Sequence, residues 1–136
     1  MSKTRKPHQL GLSIESLEAR DVPTSAVIHG GNLVIDGTTV RDGRSFASSI
    51  DPSRVRQVVV HARGGDDSVN LAAVKVPTMI WGGLGNDRIY TGSGEDTIYG
   101  DQGNDTIYGG MSDDWLVGGD GNDEIWGAAG SDWILA

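Results

Sequence analysis

With 136 residues, 37% of them hydrophobic, 21 glycines and no cysteine, the chain lacks the apolar material for a large packed core and excludes disulfides and thiolate metal sites. Its net charge of −8 is uneven: residues 1–63 hold nine Lys/Arg against six Asp/Glu, whereas residues 64–136 hold only Lys75 and Arg88 against thirteen acidic residues. So dense an acidic block repels itself when folded bare, which points to bound cations or disorder and argues against a nucleic-acid partner, and no apolar run approaches the roughly 18 residues of a membrane span.

Residues 1–24 read as an extended, poorly ordered leader. Lys3, Arg5 and Lys6 give a basic start, but only a weak apolar patch (residues 10–14) follows, so an ordinary secretory signal peptide is not expected. After the turn-prone run DVPTS, the segment 25–61 reads as short strands. NLVID (32–36) and VRQVVVHA (55–62) are β-branched runs, broken by Gly37, Gly43 and Pro52. Pattern alone leaves this segment open between a small β domain and coils that continue what comes next.

From Gly82 onward the chain can be written in nines: GGLGNDRIY, TGSGEDTIY, GDQGNDTIY, GGMSDDWLV, GGDGNDEIW and GAAGSDWIL. Position six is always aspartate: Asp87, Asp96, Asp105, Asp114, Asp123 and Asp132. Position eight is always a large aliphatic residue: Ile89, Ile98, Ile107, Leu116, Ile125 and Ile134. Position four is glycine except at Ser112. Polar turns alone would explain one Gly-Asn-Asp cluster, but they require no aspartate at fixed phase through six copies. An imperfect copy precedes the array. ARGGDDSVN (62–70) keeps Gly65, Asp67 and Val69 in phase, and AVKVPTMIW (73–81) has Thr78 where aspartate would stand, with Leu71 and Ala72 between the two.

This array resembles the repeats-in-toxin, or haemolysin-type, calcium-binding family, whose repeat is G-G-x-G-x-D-x-U-x. The likeness covers 82–135 closely and 62–81 loosely, and implies an all-β fold, a parallel β-roll over 62–136. The physical reading agrees. Six residues rich in glycine make a tight turn, and three make a short strand with position eight on one face and positions seven and nine on the other. Two units form an 18-residue coil, so residues 18 apart become vertical neighbours about 4.8 Å apart.

One edge then carries Asp87, Asp105 and Asp123, and the other Asp96, Asp114 and Asp132. Stacked carboxylates repel unless a cation lies between them. Carboxylates together with the carbonyls of loops containing Gly83, Gly85, Gly92, Gly94, Gly103, Gly110, Gly119, Gly121 and Gly130 make a hard oxygen donor set suited to Ca2+. The absence of His from the array disfavours zinc and copper. The expected internal sites are four, at 87/105, 105/123, 96/114 and 114/132, with a fifth conceivable between Asp67 and Asp87. Thr91, Asp101, Ser112 and Ala128 replace glycines, so their loops are expected to be strained or weaker. Glu95, Asp101 and Asp113 are read as solvated turn residues.

The outer faces differ. One sheet shows Arg88/Tyr90, Thr106/Tyr108 and Glu124/Trp126, a mixed surface. The other shows Thr97/Tyr99, Trp115/Val117 and Trp133/Leu135, an apolar patch that invites a contact. That contact is expected with residues 25–62 or a second copy of the chain, with sugar stacking on Trp115 and Trp133 as the sharper alternative. The open last coil also invites pairing. His8, His29 and His61 are scattered and form no H-E-x-x-H signature, so no enzyme is expected. SIESLEARDVPTSA (13–26) is similar to the L-E-x-R leader of exported planctomycete proteins and implies a secreted or cell-surface location. The chain stops one residue after the last repeat, short of the secretion tail the toxin family implies. Either another export route or truncation is expected instead, and the alternatives to a calcium-binding module are an adhesin or carbohydrate-binding surface protein, or the remnant of a larger exported enzyme.

Overall fold

In a computed structural model, residues 55–136 are described throughout, together with the strands β1 (Ser13–Ile14), β2 (Ser25–His29) and β3 (Asn32–Asp36). The expectation for the leader therefore falls outside the described residues, apart from β1, which pairs antiparallel with a later strand. Nine strands follow: β4 (Gln57–His61), β5 (Ser68–Asn70), β6 (Thr78–Leu84), β7 (Arg88–Tyr90), β8 (Thr97–Gln102), β9 (Thr106–Met111), β10 (Trp115–Asp120), β11 (Glu124–Ala129) and β12 (Trp133–Leu135). From β4 onward successive strands alternate between two sheets, ordered β1-β5-β7-β9-β11 and β12-β10-β8-β6-β4-β3-β2.

This alternation is the parallel β-roll. Ile89 pairs with Ile107 and Ile107 with Ile125 in one sheet, while Ile80, Ile98, Leu116 and Ile134 align in the other. Each step in the array is 18 residues, as the nine-residue period requires. The earlier steps are 20, Val69 to Ile89 and Val60 to Ile80, so the Leu71–Ala72 insertion is absorbed without loss of register.

The core is the thin ladder that position eight dictates. Val69, Ile80, Ile89, Ile98, Ile107 and Leu116 are wholly buried, joined at the N-terminal end by Val55, Val58, Val60, Ala62, Leu71 and Val74. Each fully buried aliphatic side chain contributes about 1.5–3 kcal/mol. Strands β8 to β11 run to six residues, twice the expected three. Stacked loops of the same shape keep pairing after the corner, as in Gly119 with Asp101 and Ala128 with Gly110.

Segment 25–61 contributes β2, β3 and β4 to the seven-stranded sheet. β3 runs parallel to β4 and β2 turns back antiparallel. These strands therefore extend the sheet edge and do not lie across the Trp115–Trp133 face. Among the described residues no helix is long and apolar enough to cross a membrane.

Candidate metal centre

The stacked register brings the position-six aspartates together in two columns. On one edge the backbone N–H of Asp67 donates to Asp87 Oδ1 at 2.8 Å, that of Asp87 to Asp105 Oδ1 at 2.8 Å, and that of Asp105 to Asp123 Oδ1 at 2.9 Å. On the other, Asp96 N–H donates to Asp114 Oδ1 at 2.8 Å and Asp114 N–H to Asp132 Oδ1 at 3.1 Å. At the head of that column stands Thr78, whose N–H and hydroxyl both donate to Asp96 Oδ1, at 2.7 and 2.9 Å. One oxygen of each carboxylate is thus tied to the preceding rung.

The other oxygen is not. Oδ2 of Asp87, Asp105 and Asp114 is buried without a hydrogen-bond partner. A buried carboxylate oxygen left in that state costs several kcal/mol by order of magnitude. Burial pushes the Asp87 carboxyl up to about 7. The Asp67 N–H opposes that shift, and the charges of Asp105, Asp66 and Asp101 add to it. Burial raises Asp114 to about 6 against the Asp96 N–H. It also raises Asp96, against the Thr78 bonds, and Asp105, against the Asp87 N–H.

The glycines explain how the carboxylates come to lie there. Position one must be bare, because a methyl group at Gly82, Gly100 or Gly109 would run into Oδ2 of the same repeat's aspartate and a carbonyl one coil on. Positions two and four take left-handed backbone in most loops, and this holds even where glycine is missing: Asp101 at φ 76°, Ser112 at 82° and Ala128 at 76°. The expected strain at these three is therefore present in the backbone. Thr91 differs. It is buried at position one, and its hydroxyl donates towards Gly109 O (2.5 Å) and Tyr108 O (3.1 Å).

Position five holds a second ladder that pattern reading missed. Asn86 N–H donates to Asp66 Oδ1, Asn104 N–H to Asn86 Oδ1, and Asn122 N–H to Asn104 Oδ1, at 2.7–2.9 Å. Asp113 is exposed, as expected of a solvated turn residue, yet its Oδ1 also accepts the Ser131 N–H at 2.7 Å. The recurring Asn in GNDR, GNDT and GNDE was the available signal.

Among the described residues no group of three or more His, Cys, Asp and Glu side chains gathers as a metal cluster. A cation here would be held by vertically paired aspartates and loop carbonyls, a hard, all-oxygen set that fits Ca2+. The family model for the RTX calcium-binding nonapeptide repeat, in four copies, matches residues 81–115 and 108–136. Residues 81–136 are RTX calcium-binding repeats. Neither the curated proteins nor the solved structures yield a match to the chain.

On the outside of the RTX roll the aromatic residues align by the same register. Tyr90, Tyr108 and Trp126 stack with centroids 4.8 and 4.4 Å apart, so the sheet read as mixed carries a continuous ring column. The opposite sheet stacks His61 on Trp81 and Trp81 on Tyr99, and Trp115 on Trp133 at 4.8 Å and 2°. Trp115 is 42% and Trp133 63% exposed.

Proposed function

We propose that this RTX roll is an extracellular calcium-binding module, not an enzyme, and that calcium completes its folding. The supporting observation is the two columns of buried aspartates, in which Oδ2 of Asp87, Asp105 and Asp114 meets no hydrogen bond. In water without calcium these carboxylates favour the unfolded, hydrated chain, and the thin core offsets only part of that cost. A divalent ion between rungs neutralises the pairs, so its binding free energy becomes folding free energy. Weak extracellular sites work at calcium concentrations of about 10⁻⁴–10⁻³ M, which keeps such a chain unfolded in the cell and folds it outside.

Circular dichroism of the whole chain in chelator, then in millimolar calcium, tests this reading. The expected result is a reversible gain of sheet signal; a spectrum that stays constant through the titration rejects it.

The exposed Trp115–Trp133 face, continued by Tyr99, Val117 and Leu135, supports a second role as a contact surface for another copy or a partner. Adhesion through sugar stacking has less support. Trp115 and Trp133 cover one face of each other, which leaves only the outer face of Trp133 on the last strand for a sugar ring. Under that account Trp115→Ala lowers surface retention and leaves calcium uptake intact.

A further inference from the structure

The two edges of the roll are not equivalent. On the first, every loop from 62 onward has the same backbone shape, with left-handed residues at positions two and four: Arg63 and Gly65, Gly83 and Gly85, Asp101 and Gly103, Gly119 and Gly121. On the second, only loops 109–114 (Gly110, Ser112) and 127–132 (Ala128, Gly130) share that shape. Gly92 and Gly94 have no positive φ, and the loop before them, 73–78, departs from the repeat and carries Thr78 in place of aspartate.

Thr91 sets loop 91–96 apart from the other repeats. In the other five repeats a glycine at position one leaves room for Oδ2 of its own aspartate (Gly82, Gly100, Gly109, Gly118 and Gly127). Thr91 brings a β-branched side chain into that space, and its hydroxyl engages the carbonyl of Gly109 one coil on. Loop 91–96 packs on its predecessor as the other loops do, but without left-handed residues at positions two and four. Gly92 lies against the Val74 and Leu71 carbonyls and Gly94 against Val76 and Pro77, too close for any Cβ. Asp96 Oδ1 is already bonded twice by Thr78, and the Thr91 hydroxyl and the Gly92 N–H add hydrogen bonds to the same carboxylate, which Asp87, Asp105 and Asp114 do not receive. Two loops of unlike shape cannot present matched carbonyls across one rung.

We infer that Thr91 and Thr78 make the Asp96 rung a calcium-free staple, so that calcium sites are distributed three to one between the edges. The three lie at Asp67/Asp87, Asp87/Asp105 and Asp105/Asp123, and the one at Asp114/Asp132. This rests on the calcium-binding reading above. It removes one of the four expected internal sites, 96/114, and keeps the fifth, 67/87, where Asp67 N–H and Asn86 N–H already lock the two loops in register.

Calcium stoichiometry of the full chain, by equilibrium dialysis with calcium alone, tests the assignment. Asp67→Asn is expected to lose one ion per chain, Asp96→Asn none, and Thr91→Gly to gain one by restoring a bare position one. Loss of an ion in D96N, or no gain in T91G with its calcium-bound dichroism intact, overturns the assignment. Should T91G fail to fold, the D67N and D96N pair still decides. Absence of calcium binding in the unsubstituted chain would instead remove the parent reading.

Discussion

A carboxylate in the middle of a column serves two neighbours and one at its end serves a single neighbour. Asp105 accepts the Asp87 N–H and offers its own N–H to Asp123, whereas Asp132 meets only Asp114. Asp105→Asn keeps the shape and the acceptor but removes a charge from two adjacent pairs. It is therefore expected to weaken calcium binding more than Asp132→Asn; equal losses in titration calorimetry would contradict the vertical register. A different residue-scale effect sits at Ala128, exposed with φ 76°. Left-handed backbone costs an ordinary L-residue about 1–2 kcal/mol, part of which glycine gives back as chain entropy. Ala128→Gly should raise the stability of the calcium-bound roll by about 0.5–1 kcal/mol, seen as a higher Tm. Asp101 shares the conformation, but aspartate tolerates it better, so the gain from glycine there is expected to be smaller.

Each coil is one element repeated, and its energetics follow the position-eight ladder. Ile107 is wholly buried between Ile89 and Ile125, while Ile134 is 47% exposed on β12. Ile107→Ala is expected to cost about 2–5 kcal/mol and Ile134→Ala under about 1.5, read as the difference in urea midpoint with calcium saturating. This ladder was legible in the sequence because a strict nine-residue period with one aliphatic and one acidic position admits few three-dimensional solutions. The aspartate columns were legible for the same reason. The shape of individual loops was not. Position one meets the aspartate of its own repeat and a carbonyl 18 residues on, a crowding that shows only once the coils stack, and Thr91 reads locally as a conservative small residue. The asparagine ladder was hidden likewise, since Asn86, Asn104 and Asn122 look like ordinary turn formers until the coils stack. Segment 25–61 carries no period at all, so the pairing of β3 with β4 and of β4 with β6 could not be read from pattern.

For the molecule as a whole, the decisive balance is between protons, calcium and eleven net negative charges on residues 64–136 (two basic against thirteen acidic). A carboxyl whose folded pKa lies above its unfolded value binds its proton more tightly in the fold. Its contribution therefore favours folding at low pH, is complete below the ordinary value of 3.8, and is lost as pH rises through the folded value, about 7 for Asp87 and about 6 for Asp114. Asp96 and Asp105 shift in the same direction. The metal-free roll should thus be most stable near pH 4 and weaken steadily towards pH 7, where calcium takes over the neutralising role that protons held. Two measurements follow from one linkage. Metal-depleted chain without sheet signal at pH 7.5 should recover part of it on acidification to pH 4.5. Calcium affinity should rise at least tenfold from pH 5 to pH 7.5, because each ion must displace protons from the carboxylates that hold it. An affinity that stays flat across that interval would mean the buried aspartates are not the groups that bind the ion, whatever the loops around them contribute.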